Sequence, residues 1–534
     1  AEADARAVAR RRRRAADRRA MWRELLLFGE HTWGADVSVS HPEARQTIAQ
    51  WAYKRRYLES AWAAAQDHVE QGLLRIGRGT EAGRGRVVFN AAGWDRTDVV
   101  RIPGGAGKAL SHEGRELPSV DLADGSALAV ARDVPALGYL ALREQDREPS
   151  PPLDEGRALE AATGGFRVRL DPDTGAIASL TGPDGQERVN PSVWSGLNQL
   201  VYVTGGAGSA LWTSPDRGAL TTPPQLRTAG AVLVAARRER LPGIGTRLVA
   251  DRRLDRFPAL TSTVTLYDDL PWVDVENRLV KTPTLEKEAL YVAFPFAATQ
   301  PAVDLEIPLG RMTVERDQQP GACRDWYCHA HWVRVRAGAD RGGILWSGPD
   351  TPLVTFNDLF RGAWRRRLVP DGTLFAYVMN NYWHTNYAAR QGGELIVRFR
   401  VSLVAADDPA EPARRGWAAC DPLYVSAAYD NPEAGPLISR DRALVVGDRG
   451  ALVLAAKPAD DGDGTVVRLL DVAGTSRAVG IWPAVVTFDR ARRTNLVEMN
   501  EAAIAIGVDR RAAVDLRAWS VASVRLFTPR EGAD

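Results

Sequence analysis

The feature that most constrains this chain is a change of hydrophobic period near residue 80. Beyond it, short β-branched runs alternate apolar with polar residues and break at Gly, Asn, Asp and Pro as far as Asp534. GRVVFNAAGWDRTDVVRIP opens the pattern. FRVRLDPDTGAIASLTG, STVTLYDDLPWVDVENRLV, CHAHWVRVRAGADRGGILWS, GELIVRFRVSLVA and ALVLAAKPADDGDGTVVRLLDV continue it. Successive side chains of a strand point to opposite faces, so a period of two gives one buried and one wetter face. No strand–helix–strand alternation appears, which favours antiparallel β-sandwiches over a doubly wound sheet.

The segment before residue 80 obeys a different rule. ADARAVARRRRRAADRRAMWRELLLF has neither Gly nor Pro and reads as a helix ending near Phe28 or Gly29. Its run Arg10 to Arg14 sits among alanines and acids, as a solvated helix face does. A second helix is expected from a capping box at Ser40 and Glu43, with Pro42 in the first turn, to about Leu74. Along it Ile48, Trp51, Leu58, Trp62, Ala65 and Val69 form an apolar stripe. Two such helices cannot enclose a core, so a further helix or domain is expected to cover them. The chain also begins at Ala1 without Met and already inside a helical pattern, which leads us to expect further structure upstream.

The expected architecture is therefore mainly β: a short helical bundle remnant over 1–80, a small sandwich over 81–160, a large supersandwich over 161–436 and a C-terminal sandwich over 437–534. The stretch VAADDPAEPARRGWAACDP (404–422) reads as a linker. The 534 residues require more than one core. Lys plus Arg is 69 against 67 Asp plus Glu, a balance that offers no global field for nucleic acid or an anionic membrane. No apolar run is long enough to span a bilayer and no signal-peptide pattern is present, so a cytoplasmic address is expected. Three cysteines, Cys323, Cys328 and Cys420, cannot close a disulfide framework. The 16 tryptophans, against 12 tyrosines and 12 phenylalanines, supply flat faces suited to cores and to sugar rings alike.

Phosphate loops, nucleophile elbows and cysteine-pair zinc motifs are missing from the sequence. Histidines and aromatics remain. His329 and His331 lie two apart on an expected strand, so they share a face, with Cys328 on the other. They are read as ordinary sheet histidines, because a metal would need a third ligand that is not near in sequence. VMNNYWHTNYAARQGGE (378–394) is the densest polar-aromatic cluster. Its Asn380, Asn381, Tyr382, Trp383 and His384 suit sugar hydroxyls, or else a loop folded onto itself. In FGEHTWGADVSVSHPEARQ, His31 either caps the first helix, where its charge favours the dipole, or faces a site together with Trp33.

EHTWGADVSVSHPEA, VVFNAAGWDRTDVV, TGAIASLTGPDGQE, DVENRLVKTPTLEKEALYVAFPF, DQQPGACRDWYCHAHWVRV, MNNYWHTNYAARQGGE and RRTNLVEMNE together resemble glycoside hydrolase family 38, the zinc-dependent retaining α-mannosidases. That resemblance implies an α/β barrel, a three-helix bundle and a series of β-sandwiches, of which this chain matches everything from late in the bundle onward. The barrel, which in the family carries the nucleophile, the acid/base carboxylate and most zinc ligands, would lie outside it. The resemblance implies one zinc ligand here, His31, with Gly34 three residues on. Thr32 stands where the family often has a substrate-contacting Asp. Trp33, Tyr382, Trp383 and His384 become substrate-binding candidates, no catalytic residue is assigned, and the partner is an oligosaccharide or glycoside, with a homo-oligomer left open. A different reading of the same strands is a non-catalytic carbohydrate-binding protein. A third is a lyase-type sandwich using Tyr382 or His384 as base.

Overall fold

The computed structural model describes residues 16–30, 34–77, 85–163, 165–192, 194–206, 226–359, 365–382, 386, 388–428 and 440–529. It is mainly β, built from several antiparallel sheets. The chain divides into two compact units, one made of 1–31, 54–151 and 422–534, the other of 32–53 and 152–421.

In the first unit, the alternation in VVFN and TDVVRI becomes the strands Gly85–Asn90 and Arg96–Ile102. Gly85–Asn90 pairs on one side with Gly138–Asp146 and on the other with Tyr424–Ala428, so the chain returns to this sheet after an excursion of some three hundred residues. Arg96–Ile102 pairs with Ala127–Val134 in a three-stranded sheet, and Val88, Ile102, Leu110, Ala129, Leu140 and Leu142 form the core. A second core in this unit, around Val467, Leu469, Val479, Ile481, Val514 and Val524, belongs to a three- and a five-stranded sheet of residues 444–527.

The second unit holds the largest core. A ten-stranded sheet runs from Leu153–Arg157 at one edge to Gly310–Thr313 at the other, with Trp272–Lys281 beside Gly393–Val404 near its middle. A six-stranded sheet centres on Gln199–Gly205, Glu288–Pro295 and Thr373–Asn380. Leu200, Leu290 and Val292 of the smaller sheet join Leu248, Val264 and Val275 of the larger one in a single core. Trp346 is fully buried there, its ring 5.6 Å from Phe294 and 5.5 Å from Phe399. Every residue of Glu288–Pro295 is buried, because a second cluster of Val201, Tyr291, Phe375 and Tyr382 covers the other face of the smaller sheet.

Three expectations are corrected. The capping box at Ser40 and Glu43 does not form: residues 36–43 are turns and bends, and the helix is Arg45–Gly77. Glu43 is drawn instead to the guanidinium of Arg390, 3.2 Å away, while the Thr47 hydroxyl donates to the His41 carbonyl at 2.8 Å. The linker-like stretch contains a helix, Glu411–Cys420, with proline in its first turn, where no backbone donor is lost. Its Gly416 is not a breaker but a contact, since a Cβ there would meet the Trp332 ring at 2.4 Å. Finally, His329 and His331 do not lie on a strand: pairing covers only Tyr327–Cys328 and resumes at Val333.

Helix 16–28 ends where its sequence says it should. On Arg45–Gly77, however, the apolar stripe stays open: Ile48 is 57% and Trp62 62% exposed, with Leu58 and Val69 also exposed. None of the described helices is long and apolar enough to cross a membrane.

Candidate functional site

The polar-aromatic stretch lies in a crossover between the two sheets of the large sandwich. Thr373–Asn380 ends in the six-stranded sheet and Gly393–Val404 starts in the ten-stranded one. A second crossover, 282–287, runs beside it from Trp272–Lys281 to Glu288–Pro295. The register proves the adjacency, because Lys281 pairs with Gly393 and Ala289 with Asn380.

A buried polar network fills the space between the crossovers. Lys281 Nζ lies 2.5 Å from Glu288 Oε1, both side chains at 0% exposure. The same ammonium donates to the carbonyls of Thr282 and Gln391, each at 3.0 Å. Glu288 Oε2 accepts from the Tyr202 hydroxyl at 2.5 Å. Burial, and then the Glu288 carboxylate, push the Tyr202 phenol far above its ordinary range, so it stays a donor. Asn381 serves its own fold: its Oδ1 accepts from the Glu288 N–H at 2.7 Å, and its Nδ2 donates to the carbonyls of Glu286 (2.6 Å) and Ala389 (3.0 Å). Lys287 Nζ donates to the Asn381 carbonyl at 2.8 Å. Asn380 Oδ1 accepts from the Tyr382 N–H at 2.8 Å. The two amides that looked available to sugar hydroxyls are thus committed to the loop.

Tyr382, the one substrate candidate among the described residues, is 1% exposed, and its hydroxyl donates to the Gly205 carbonyl at 2.9 Å. Burial, reinforced by the Glu288 charge, raises its pKa well above the phenol value, so its hydroxyl stays a donor. His31, Trp33, Trp383 and His384 lie outside the described residues. Their neighbours do meet. Gly34, at φ +81°, packs so tightly on Asn386 that an added Cβ would stand 2.2 Å from its carbonyl oxygen and 3.1 Å from the Trp51 ring. Together with the Glu43–Arg390 pair, this contact joins the turn after residue 33 to the 381–392 crossover, across some 350 positions of sequence. Only glycine fits there, for reasons of both space and dihedral angle.

His329 and His331 serve different partners. His329 is buried, its Nε2 2.9 Å from the Thr351 carbonyl, and burial lowers its pKa to about 4. His331 Nδ1 lies 3.1 Å from Glu306 Oε2, whose other oxygen accepts from Trp417 Nε1 at 2.8 Å. Among the described residues no group of three or more His, Cys, Asp or Glu is arranged to hold a metal, so by themselves they do not fit a zinc site. All three cysteines are free thiols. A cleft of about 710 Å³ lies at the far end of Gly393–Val404, lined by Leu403, Val404, Arg188 and Asp340 among others. It is remote from the crossover network.

Sequence reading singled out Asn380, Asn381 and Tyr382 but missed Lys281, Glu288 and Tyr202. Their only signal is position: Lys281 ends one apolar-alternating run and Glu288 begins the next, in VKTPTLEKEALYVAF.

No family model matches the sequence, and no curated protein matches it. Solved structures do. An α-mannosidase from Enterococcus faecalis V583 is similar over 90% of this chain, with a TM-score of 0.63 and 13% identity. A glycosyl hydrolase family 38 protein from Enterococcus faecalis is similar over 90%, with a TM-score of 0.60 and 13% identity. The chain spans about 60% of the length of each, 60% of the first and 62% of the second. At this identity the likeness is one of fold.

Proposed function

We propose that the chain is the C-terminal part of a zinc-dependent retaining α-mannosidase-like glycoside hydrolase, acting on α-mannosidic bonds of oligosaccharides or glycosides in carbohydrate catabolism. The observation that carries this is the match of 90% of the chain to an α-mannosidase of which it spans only 60%. In a retaining glycosidase one carboxylate attacks the anomeric carbon and a second protonates the leaving oxygen. On this reading both carboxylates come from outside residues 1–534, and this chain supplies part of the wall of the sugar site. Trp33, Trp383 and His384 are its proposed substrate contacts, backed by Tyr382. The meeting of Gly34 with Asn386 supports placing these stretches together. The zinc part of the proposal rests on His31 as the one ligand from this chain.

The test compares residues 1–534 alone with the same chain extended by its upstream reading frame, on an aryl α-mannoside, with and without a chelator. The extended protein should turn over and lose activity on chelation, and the chain alone should be inactive. Robust turnover by residues 1–534 would overturn the division of labour. An extended protein inactive on α-mannosides would overturn the function, and a start codon at Ala1 would favour the carbohydrate-binding reading.

A further inference from the structure

We infer that Lys281 and Glu288 are positioning residues, whose buried ion pair fixes both ends of the 381–391 crossover. The inference deepens the functional reading and rests on it for the loop's role, since Trp383 and His384 lie within that crossover.

The connections close a ring. Glu288 holds the start of the crossover through its backbone: its N–H donates to Asn381 Oδ1 at 2.7 Å, and its carbonyl accepts from the Asn381 N–H at 3.0 Å. Lys281 holds the end, donating from Nζ to the Gln391 carbonyl at 3.0 Å. The 2.5 Å pair joins the two halves. The ammonium donates hydrogen bonds to the carbonyls of Thr282 and Gln391 and lies against the carboxylate as an ion pair. Lys281 is the last residue of a strand in one sheet and Glu288 the first of a strand in the other, so the pair ties the sheets together where the loop crosses between them.

Stability alone does not call for this arrangement. Taking two charges wholly out of water is costly, and a well-packed apolar pair of similar volume commonly serves stability equally well or better. What an apolar pair cannot do is donate to the Gln391 carbonyl or carry the Tyr202 hydrogen bond. The charged pair therefore supplies geometry: it helps hold Asn381 and Gln391, ten residues apart, at a fixed separation. A loop that must present side chains to a sugar benefits from such preorganisation.

The experiment is hydrogen–deuterium exchange on the whole chain, comparing wild type with Lys281→Met/Glu288→Leu, which removes both charges and leaves neither unpaired. Exchange should rise about 10-fold around Gln391, the equivalent of one net hydrogen bond lost, and by a smaller factor around Asn381, whose bonds to the Glu288 backbone remain. Peptides from Ala259–Tyr267 should be unchanged. Tyr202→Phe, which deletes one donor and almost no volume, should give the same pattern at about 3-fold, and decides the matter if the double variant does not fold. Unchanged exchange at the crossover in the folded variants, or a uniform rise throughout the unit, overturns the inference. The exchange pattern is independent of glycosidase activity. A chain that proves unrelated to mannosides can still show the clamp, and an active mannosidase can still lack it.

Discussion

Helix Arg45–Gly77 and the crossover end of the large sandwich invert the usual distribution of residues in opposite ways. The helix carries Ile48 and Trp62 to solvent at 57% and 62% exposure. The crossovers take a lysine and a glutamate to 0%. Scattered exposed apolar residues need no explanation, whereas a stripe of them, or a buried charge, does. In the crossover the explanation is internal: Lys281 meets an opposite charge and two carbonyls, and the polar atoms fasten chain segments to one another. On the helix no such internal account exists among the described residues. One region is satisfied within itself, and the other leaves its apolar side chains exposed among the described residues.

Substitutions can break that contrast, and the largest effect is expected at Glu288. Glu288→Ala leaves the Lys281 ammonium buried without its counter-charge and should destabilise the chain by about 3–5 kcal/mol in chemical denaturation. A loss below about 1 kcal/mol would mean that water reaches the lysine and that the region is less closed than described.

Next in size is a dependence on pH from the same sandwich. His329 titrates near 4 when folded, against 6.5 ordinarily. Between those values the unfolded chain takes up a proton that the folded one refuses. Stability should therefore fall as pH drops below about 6.5 and level off near 4, at up to about 1.4 kcal/mol per pH unit from this group. His329→Gln should flatten that part of the curve. An unchanged slope in the variant would place the acid sensitivity elsewhere.

Two glycines sharpen the comparison because the same change should have opposite signs. Gly34→Ala meets a positive φ and the Asn386 carbonyl, and should cost about 1–3 kcal/mol. Gly72→Ala lies inside the helix with nothing within 4 Å, and should stabilise by up to about 1 kcal/mol. Melting temperatures moving in the same direction would contradict the account of one site or the other. The smallest effect belongs to Trp62→Ser, within about 0.5 kcal/mol in the chain alone. A loss of several kcal/mol there would show that the stripe is covered after all.

Much of the architecture was legible because the hydrophobic effect writes itself as a period. GELIVRFRVSLVA became Gly393–Val404, and STVTLYDDLPWVDVENRLV became Ala259–Tyr267 and Trp272–Lys281. The failures came where one residue type serves two purposes. Pro412 and Gly416 suggested a linker, yet one starts a helix and the other lets it approach Trp332. Ser40 and Glu43 had capping-box spacing, but Glu43 meets a different partner, Arg390, 347 residues away. The polar-aromatic stretch was visible as a cluster, though its composition did not say that Asn380 and Asn381 would be consumed by the loop itself.

By itself, then, the sequence determined the antiparallel β class, the placement of many strands and the apolar stripe on the long helix. Each follows from local periodicity, which needs no knowledge of what lies opposite. The tertiary structure alone decided that Lys281 would meet Glu288, that Gly34 would press on Asn386 and that Tyr382 would be a buried donor. Those outcomes depend on which strand ends the sheets bring side by side. A charge records nothing in its own neighbourhood of sequence about whether it will face water or a partner hundreds of residues away.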